Sequence, residues 1–251
     1  MGILDKLRPQ ARWKHGDPMV RLEAVQALAD TEIDVLHQIA SEDTDARVRR
    51  AALGRLSDVE VLAAVTRNDA DAGVRDAAVE RLVALATGAA PGAVAALGSL
   101  GRHKDLAALA RSQAPEAVRH AAVAEIGEAK LLGGIARHAA DAGTRLLALE
   151  RLQDAGELEG VAAHGEHADA AVAALDRLSG LSAEQLTALA QRARSRAVAK
   201  RAKALAAALT APPVEEAPPA PQHREADQGG GARPLRADDG ACRHHRRRLA
   251  A

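Results

Sequence analysis

A twelve-residue phrase returns along this chain at nearly constant spacing, and no other feature restricts the possible folds as much. Residues 71–82 read D-A-G-V-R-D-A-A-V-E-R-L. The phrase recurs at 17–28 (D-P-M-V-R-L-E-A-V-Q-A-L), 45–56 (D-A-R-V-R-R-A-A-L-G-R-L), 115–126 (P-E-A-V-R-H-A-A-V-A-E-I) and 141–152 (D-A-G-T-R-L-L-A-L-E-R-L). Weaker copies occupy 167–178 and 89–100, and a partial one surrounds Val198. The closing residues Leu28, Leu56, Leu82, Leu100, Ile126, Leu152 and Leu178 are separated by steps of 28, 26, 18, 26, 26 and 26 residues. A period in this range marks an array whose units bury their faces against one another. Within a copy the apolar positions fall at intervals of four, one and three, which is one stripe of an α-helix and not the alternation of a strand.

Two columns of the alignment say how such helices meet. One is invariant: Ala24, Ala52, Ala78, Ala96, Ala122, Ala148, Ala174 and Ala202. The next is bulky: Val25, Leu53, Val79, Leu97, Val123, Leu149 and Leu175. A small residue beside a large one lets the ridges of one helix enter the grooves of the next, with axes roughly 8–10 Å apart. Four copies place Asp four residues before Arg: Asp17/Arg21, Asp45/Arg49, Asp71/Arg75 and Asp141/Arg145. Asp suits a helix start, where it caps free N–H groups. Arg one turn later lies on the same face, within reach of that Asp or of a neighbouring unit. An anion-binding row is the functional alternative for these arginines.

Between the copies runs a second pattern, Leu-x-x-Ile/Val/Leu. It falls at Leu36/Ile39, Leu62/Val65, Leu106/Leu109, Leu132/Ile135, Leu158/Val161 and Leu186/Leu189. It predicts an outer helix before most of the inner ones. The expected architecture is all-α: an α-solenoid of about eight helix pairs over residues 1–211, on the order of 60–80 Å long. One pair is shortened near residues 83–91, where too few residues remain for a helix and two turns. Residues 3–13 form a short amphipathic start, and Trp13 is expected to cap the open end of the stack. From residue 212 the chain turns Pro-rich (P-P-V-E-E-A-P-P-A-P) and then Arg-rich, a composition that predicts a disordered tail over 212–251.

Composition closes off several classes of function. The chain has 251 residues and zero formal net charge, and it holds neither Phe nor Tyr. The core must therefore be built from Leu, Val, Ile and Ala. Stacking of nucleic-acid bases on aromatic platforms has only Trp13 to work with. One cysteine, Cys242, excludes an internal disulfide and a thiolate zinc site, and a cytoplasmic setting is the expectation. No apolar run approaches the ~20 residues of a membrane span.

The tandem D-x-x-V-R-x-x-A-V-x-x-L phrases over roughly residues 15–208 resemble HEAT and HEAT-like repeats. That resemblance implies a right-handed two-layered solenoid used as a protein-binding scaffold. The opening W-K-H-G-D-P-M-V-R-L-E-A-V is similar to the N-terminal repeat region of bacterial proteins in the domain-of-unknown-function family 349. Those proteins continue into charged helical domains. Here the Pro-rich and Arg-rich tail stands in that place, as in a truncated relative or a tail translated in a shifted frame. The repeats also resemble those of HEAT-like lyases acting on open-chain tetrapyrroles, although a chain without Phe or Tyr is poorly equipped to line a chromophore cleft.

No catalytic or cofactor motif is present: there is no G-x-x-x-x-G-K and no G-x-S-x-G. His164 and His167, with Glu166 between them, lack further metal ligands and read as a loop. Two surfaces stand out. Arg55, Arg81, Arg151 and Arg177 each precede a closing Leu and would form a ridge along the inner-helix, concave face, suited to an acidic protein partner. Arg192, Arg194, Arg196, Lys200, Arg201 and Lys203 form a basic cluster that would hold phosphates by charge. The expected function is a non-catalytic scaffold for another protein, with no cofactor and no membrane contact. Association with RNA or DNA through the cluster at 192–203 is the second reading.

Overall fold

Each copy of the repeated phrase folds as one α-helix, and the computed structural model describes residues 11–211. A 3-10 turn (Arg12–Lys14) leads into α1 (Pro18–Ala27), α2 (Ile33–Glu42), α3 (Ala46–Leu53), α4 (Val59–Asn68) and α5 (Ala72–Thr87). The chain continues through α6 (Ala93–Ser99), α7 (His103–Ala110), α8 (Glu116–Ala124), α9 (Ala129–His138) and α10 (Ala142–Arg151). The array ends with α11 (Ala155–His164), α12 (Ala168–Arg177), α13 (Ala183–Arg192) and α14 (Arg196–Thr210). There is no strand among the described residues. The expectations for residues 3–10 and for the tail at 212–251 lie outside them.

The helices begin where the sequence caps them. Asp17, Asp45, Asp71 and Asp141 accept a backbone N–H from Met19, Arg47, Val74 and Thr144 at 2.8, 2.8, 3.0 and 2.8 Å. Asp58 and Asp154 do the same for α4 and α11, and Ser182 with Gln185 forms a capping box on α13. Each such cap contributes about 1 kcal/mol.

Packing is solenoidal. α2, α4, α7, α9, α11 and α13 pack on the helices that follow them, α3, α5, α8, α10, α12 and α14. Each layer then stacks on its own kind, α1 on α3 on α5 in one and α7 on α9 on α11 on α13 in the other. No substantial contact joins helices more than three places apart. The bulky column is buried throughout: Val25, Leu53, Val79, Leu97, Val123, Leu149 and Leu175 are all inside. Of the alanine column, seven members are buried, and Ala96 on α6 is only half-buried, while Ala93 on the same helix is buried. The second-layer pairs, Leu36/Ile39 through Leu186/Leu189, are buried as well.

Among the described residues, eight helices carry the phrase and six outer helices accompany them, so the count of about eight pairs resolves there into six pairs and two single helices. Among the described residues, α1 has only the 3-10 turn ahead of it. α6 also stands alone. Residues 83–87 extend α5 by more than a turn instead of starting an outer helix, and α6 touches α4, α5, α7 and α8. The 18-residue step is thus a deleted outer helix. Trp13 is half-buried against the core next to α1, with the Lys14 ammonium 4.4 Å from its ring centre. At the other end Lys203 stands, exposed, in the column that is otherwise buried and apolar.

Candidate functional site

The arginine one turn into each helix does not pair with the Asp that caps its own helix. It turns back to the carbonyls just ahead of the helix and, in every copy but that of Arg75, forward to the next repeat. Arg21 donates from Nη1 to His15 O at 2.9 Å and grips Asp43 with Nε and Nη2 at 2.7 and 2.8 Å. Arg49 repeats the pattern, to Asp43 O at 2.7 Å and to both oxygens of Asp69 at 2.8 Å. Arg145 donates to Ala139 O, Ala140 O and Asp169 Oδ2 at 2.8, 2.7 and 2.6 Å. Arg119 reaches Ala114 O at 2.5 Å and the Thr144 hydroxyl at 3.3 Å, with Asp141 3.3 Å from its Nη2. Two-pronged guanidinium–carboxylate pairs are among the strongest hydrogen-bonded contacts. These are largely buried.

The carboxylates record that environment. Hydrogen bonds from Arg49 hold the Asp69 carboxyl below the usual carboxylate range, against burial that raises it. At Asp43 and at Asp169, burial is the largest influence and pushes upward. The bonds from Arg21 and Arg145, helped by backbone N–H groups, outweigh it and leave both carboxyls low. Asp141 is lowered to about 2, chiefly by the Thr144 backbone N–H and hydroxyl.

The predicted ridge runs in the opposite direction. Arg55 donates to Val25 O at 2.7 Å and to Asp30 at 2.6 Å. Arg81 donates to Leu56 O at 2.7 Å, Arg151 to Ala124 O at 2.9 Å, and Arg177 to Leu149 O and, at 2.7 Å, to Leu152 O. Each guanidinium thus satisfies carbonyls at the C-terminal end of the preceding repeat's helix, where a positive charge also meets the negative end of the helix dipole. All four are engaged, Arg55 and Arg81 on one side of α6 and α8 and Arg151 and Arg177 on the other, with Ser99 and Glu125 at the positions between.

The basic cluster divides in two. Arg192, Arg194 and Arg201 face Glu159, Glu166 and Asp176 of the preceding repeat, the latter two at 3.5 and 3.1 Å. Arg196, Lys200 and Lys203 lie exposed on α14 at spacings of four and three, with no carboxylate in ion-pair range among the described residues. Glu166, between His164 and His167, also lies 3.5 Å from His138, so the loop serves the seam with α9. No group of three or more metal-ligating side chains is found among the described residues.

One surface escaped the column analysis. Leu146 on α10 is 39 % exposed, and Val172, at the same register of the next repeat on α12, is half-buried, as is Leu147. The position of Leu146 is held by Arg50, Asp76 and His120 in other copies, so alignment shows no pattern there. A recess of about 420 Å³ lies between α5 and the head of α7, lined by Asp76, Val79, Glu80, Val83, Arg102 and Asp105. No helix among the described residues is long and apolar enough to cross a membrane. Comparison of the sequence with profiles of known protein families and with curated proteins finds no match.

Proposed function

We propose that the protein is a non-catalytic scaffold of the HEAT-like kind, which binds another protein along the face formed by α8, α10 and α12. The observation that carries this reading is the apolar pair of Leu146, exposed, and Val172, half-buried, at the same register of successive repeats, on helices whose arginines, Arg151 and Arg177, are already engaged with carbonyls. Exposed apolar side chains grouped on neighbouring elements mark contact surfaces, whereas scattered ones do not. Arg151 and Arg177, at the ends of α10 and α12, supply polar groups at its rim.

Leu146→Asp combined with Val172→Asp tests the reading. Both residues are partly exposed, so the fold should persist, which a thermal melt checks. Affinity capture should return a specific protein with the parent chain, and its recovery should fall at least about tenfold with the double variant, the effect of losing an apolar contact of about 1.4 kcal/mol or more. Equal recovery removes this face. Charge reversal of the four arginines is a poorer test, because it breaks the seams between repeats as well.

A second reading rests on Arg196, Lys200 and Lys203, free of carboxylate partners among the described residues. It takes the basic end of the array as a contact for RNA or DNA phosphates. Binding of a generic oligonucleotide should then weaken steeply with salt. No binding at low salt eliminates it.

A further inference from the structure

Seven seams join successive helices that carry the repeated phrase, and they are not alike. At α1/α3, α3/α5, α8/α10 and α10/α12, guanidinium bonds cross in both directions. Arg21, Arg49, Arg119 and Arg145 reach forward, and Arg55, Arg81, Arg151 and Arg177 reach back. At α12/α14 the ion pair Arg201–Asp176 takes over, and the accompanying outer helices and loops add Arg192–Glu159, Arg194–Glu166 and a backbone bond from Arg194 N to Ala163 O at 2.8 Å. At α5/α6 and α6/α8 no guanidinium crosses among the described residues. Arg75 stands in the forward position, but its Nη1 donates only to Asp69 O and Ala70 O, at 2.7 and 3.1 Å, ahead of its own helix. The backward position holds Ser99 on α6 and Glu125 after α8. Ser99 bonds Ala96 O within its own helix.

Glu125 does more than leave a bond unmade. Its carboxylate lies over the bare Cα of Gly98, so close that a Cβ there would collide with it. Gly98 is in the last turn of α6. At four other seams a cation meets the equivalent helix end; here an anion does, and like polarity is unfavourable at that site. α6 itself is only seven residues long and is bounded by left-handed backbone at Ala89, Gly92 and Gly101.

We infer that α6 is a hinge, across which the arm α1–α5 and the arm α7–α14 change their relative orientation while each arm stays internally clamped. The recess between α5 and α7 is lined from both arms and opens or narrows with that motion. The inference stands on the seams and is independent of the partner-binding reading.

Paired spin labels on the full chain test it. With Cys242→Ser as background, labels at Ser41→Cys and Thr187→Cys span the hinge, and labels at Lys130→Cys and Thr187→Cys lie within one arm. The spanning pair should give a distance distribution about twofold wider or more than the within-arm pair, as expected for a locally low-stability element. Equal widths overturn the hinge. Glu125→Arg restores a backward donor. It should narrow the spanning distribution to the within-arm width and slow amide exchange in α6 by roughly tenfold, as for one charged hydrogen bond gained. Glu125→Gln removes the charge with no change of size, and should narrow the distribution part of the way even if the Arg variant does not fold. If the glutamine variant leaves the spanning distribution as wide as in the parent, the assignment of the hinge to this seam is wrong.

Discussion

The two sides of α5 teach what holds this array together. Toward α3, Arg49 crosses to Asp69 at the head of α5, and Arg81 reaches back to Leu56 O. Toward α6, Arg75 occupies the register of Arg49 and finds no carboxylate to grip. The apolar column does not notice the difference, since Val79 and Leu97 are both buried. The polar interlock does, because Asp43 and Asp69 sit at the C-terminal caps of outer helices α2 and α4, and no outer helix follows α5. Deleting an outer helix therefore leaves hydrophobic stacking intact and removes the acceptor of the next clamp.

The sharpest way to break this comparison is to strand an arginine. Asp69→Ala leaves the Arg49 guanidinium buried without its counter-charge, which costs about 3–5 kcal/mol. Arg75→Ala removes hydrogen bonds from a guanidinium to carbonyls but strands no buried charge, and should cost about 1.5 kcal/mol. Urea denaturation of the two variants measures both, with α1–α5 followed separately because repeat arrays can unfold in stages. Similar losses from both substitutions would mean that the carboxylate clamp contributes nothing special to the α3/α5 seam.

A second contrast compares the two environments within the alanine column. Ala78 is fully buried where α5 lies against its neighbours, and Ala78→Leu forces them apart at a cost of about 1–3 kcal/mol. Ala96, on α6, is half-buried, and Ala96→Leu should fall within about 0.5 kcal/mol of the parent. Matched thermal melts decide it. A strongly destabilising Ala96→Leu would show α6 to be as tightly packed as the clamped helices.

Much of this was legible in the sequence because it lies in columns. The burial of the bulky residues, the positions of the outer helices and the deletion at 83–91 all follow from period and spacing. The capping role of Asp17, Asp45, Asp71 and Asp141 follows from residue type. The clamps were harder to see. Arg49 and Asp69 are twenty residues apart, and the nearest acid to Arg49 in sequence, Asp45, is spent on a helix end and on Arg47. The doublets D-T-D at 43–45 and D-A-D at 69–71 were the available signal, with the first Asp two residues ahead of each cap. The arginine ridge looked like a surface because periodicity places residues on a face without saying what they touch there. Leu146 was hidden for the opposite reason, since its column changes chemistry from copy to copy.

Acid should dissect the same comparison. Asp43, Asp69, Asp141 and Asp169 all titrate below an unfolded carboxyl near about 3.9. A lowered folded value means that the stabilisation is complete above about pH 5 and fades as the pH falls through the folded value, down to about 2 for Asp141. Between pH 5 and pH 2.5, amide exchange should rise more in α3, α5 and α10 than in α6, where no such carboxylate holds the seams. In Asp69→Asn the acid-induced rise at α3 and α5 should be blunted. A uniform rise along the chain, unchanged in that variant, would locate the acid sensitivity elsewhere.

The smallest expected effect concerns the turn that leads into α6. α5 and α6 end alike: Ala90 N bonds Leu85 O and Arg102 N bonds Leu97 O, both at 2.9 Å, each closing the helix over a left-handed residue. At the end of α6 that residue is Gly101, with φ of 65°. At the end of α5 it is Ala89, with φ of 60°, although Gly88 stands immediately before it. A left-handed Ala carries about 1–2 kcal/mol of steric cost, and glycine would relieve it at an entropic cost of about 0.5–1 kcal/mol in the unfolded chain. Ala89→Gly should therefore stabilise α5 by up to about 1 kcal/mol, read as slower amide exchange at Ala90 and the last turn of α5. The same substitution at Ala72, inside the right-handed first turn of α5, should destabilise. If both glycines weaken the helix equally, Ala89 is not strained, and the α5–α6 turn is as well fitted to its sequence as the turn after α6.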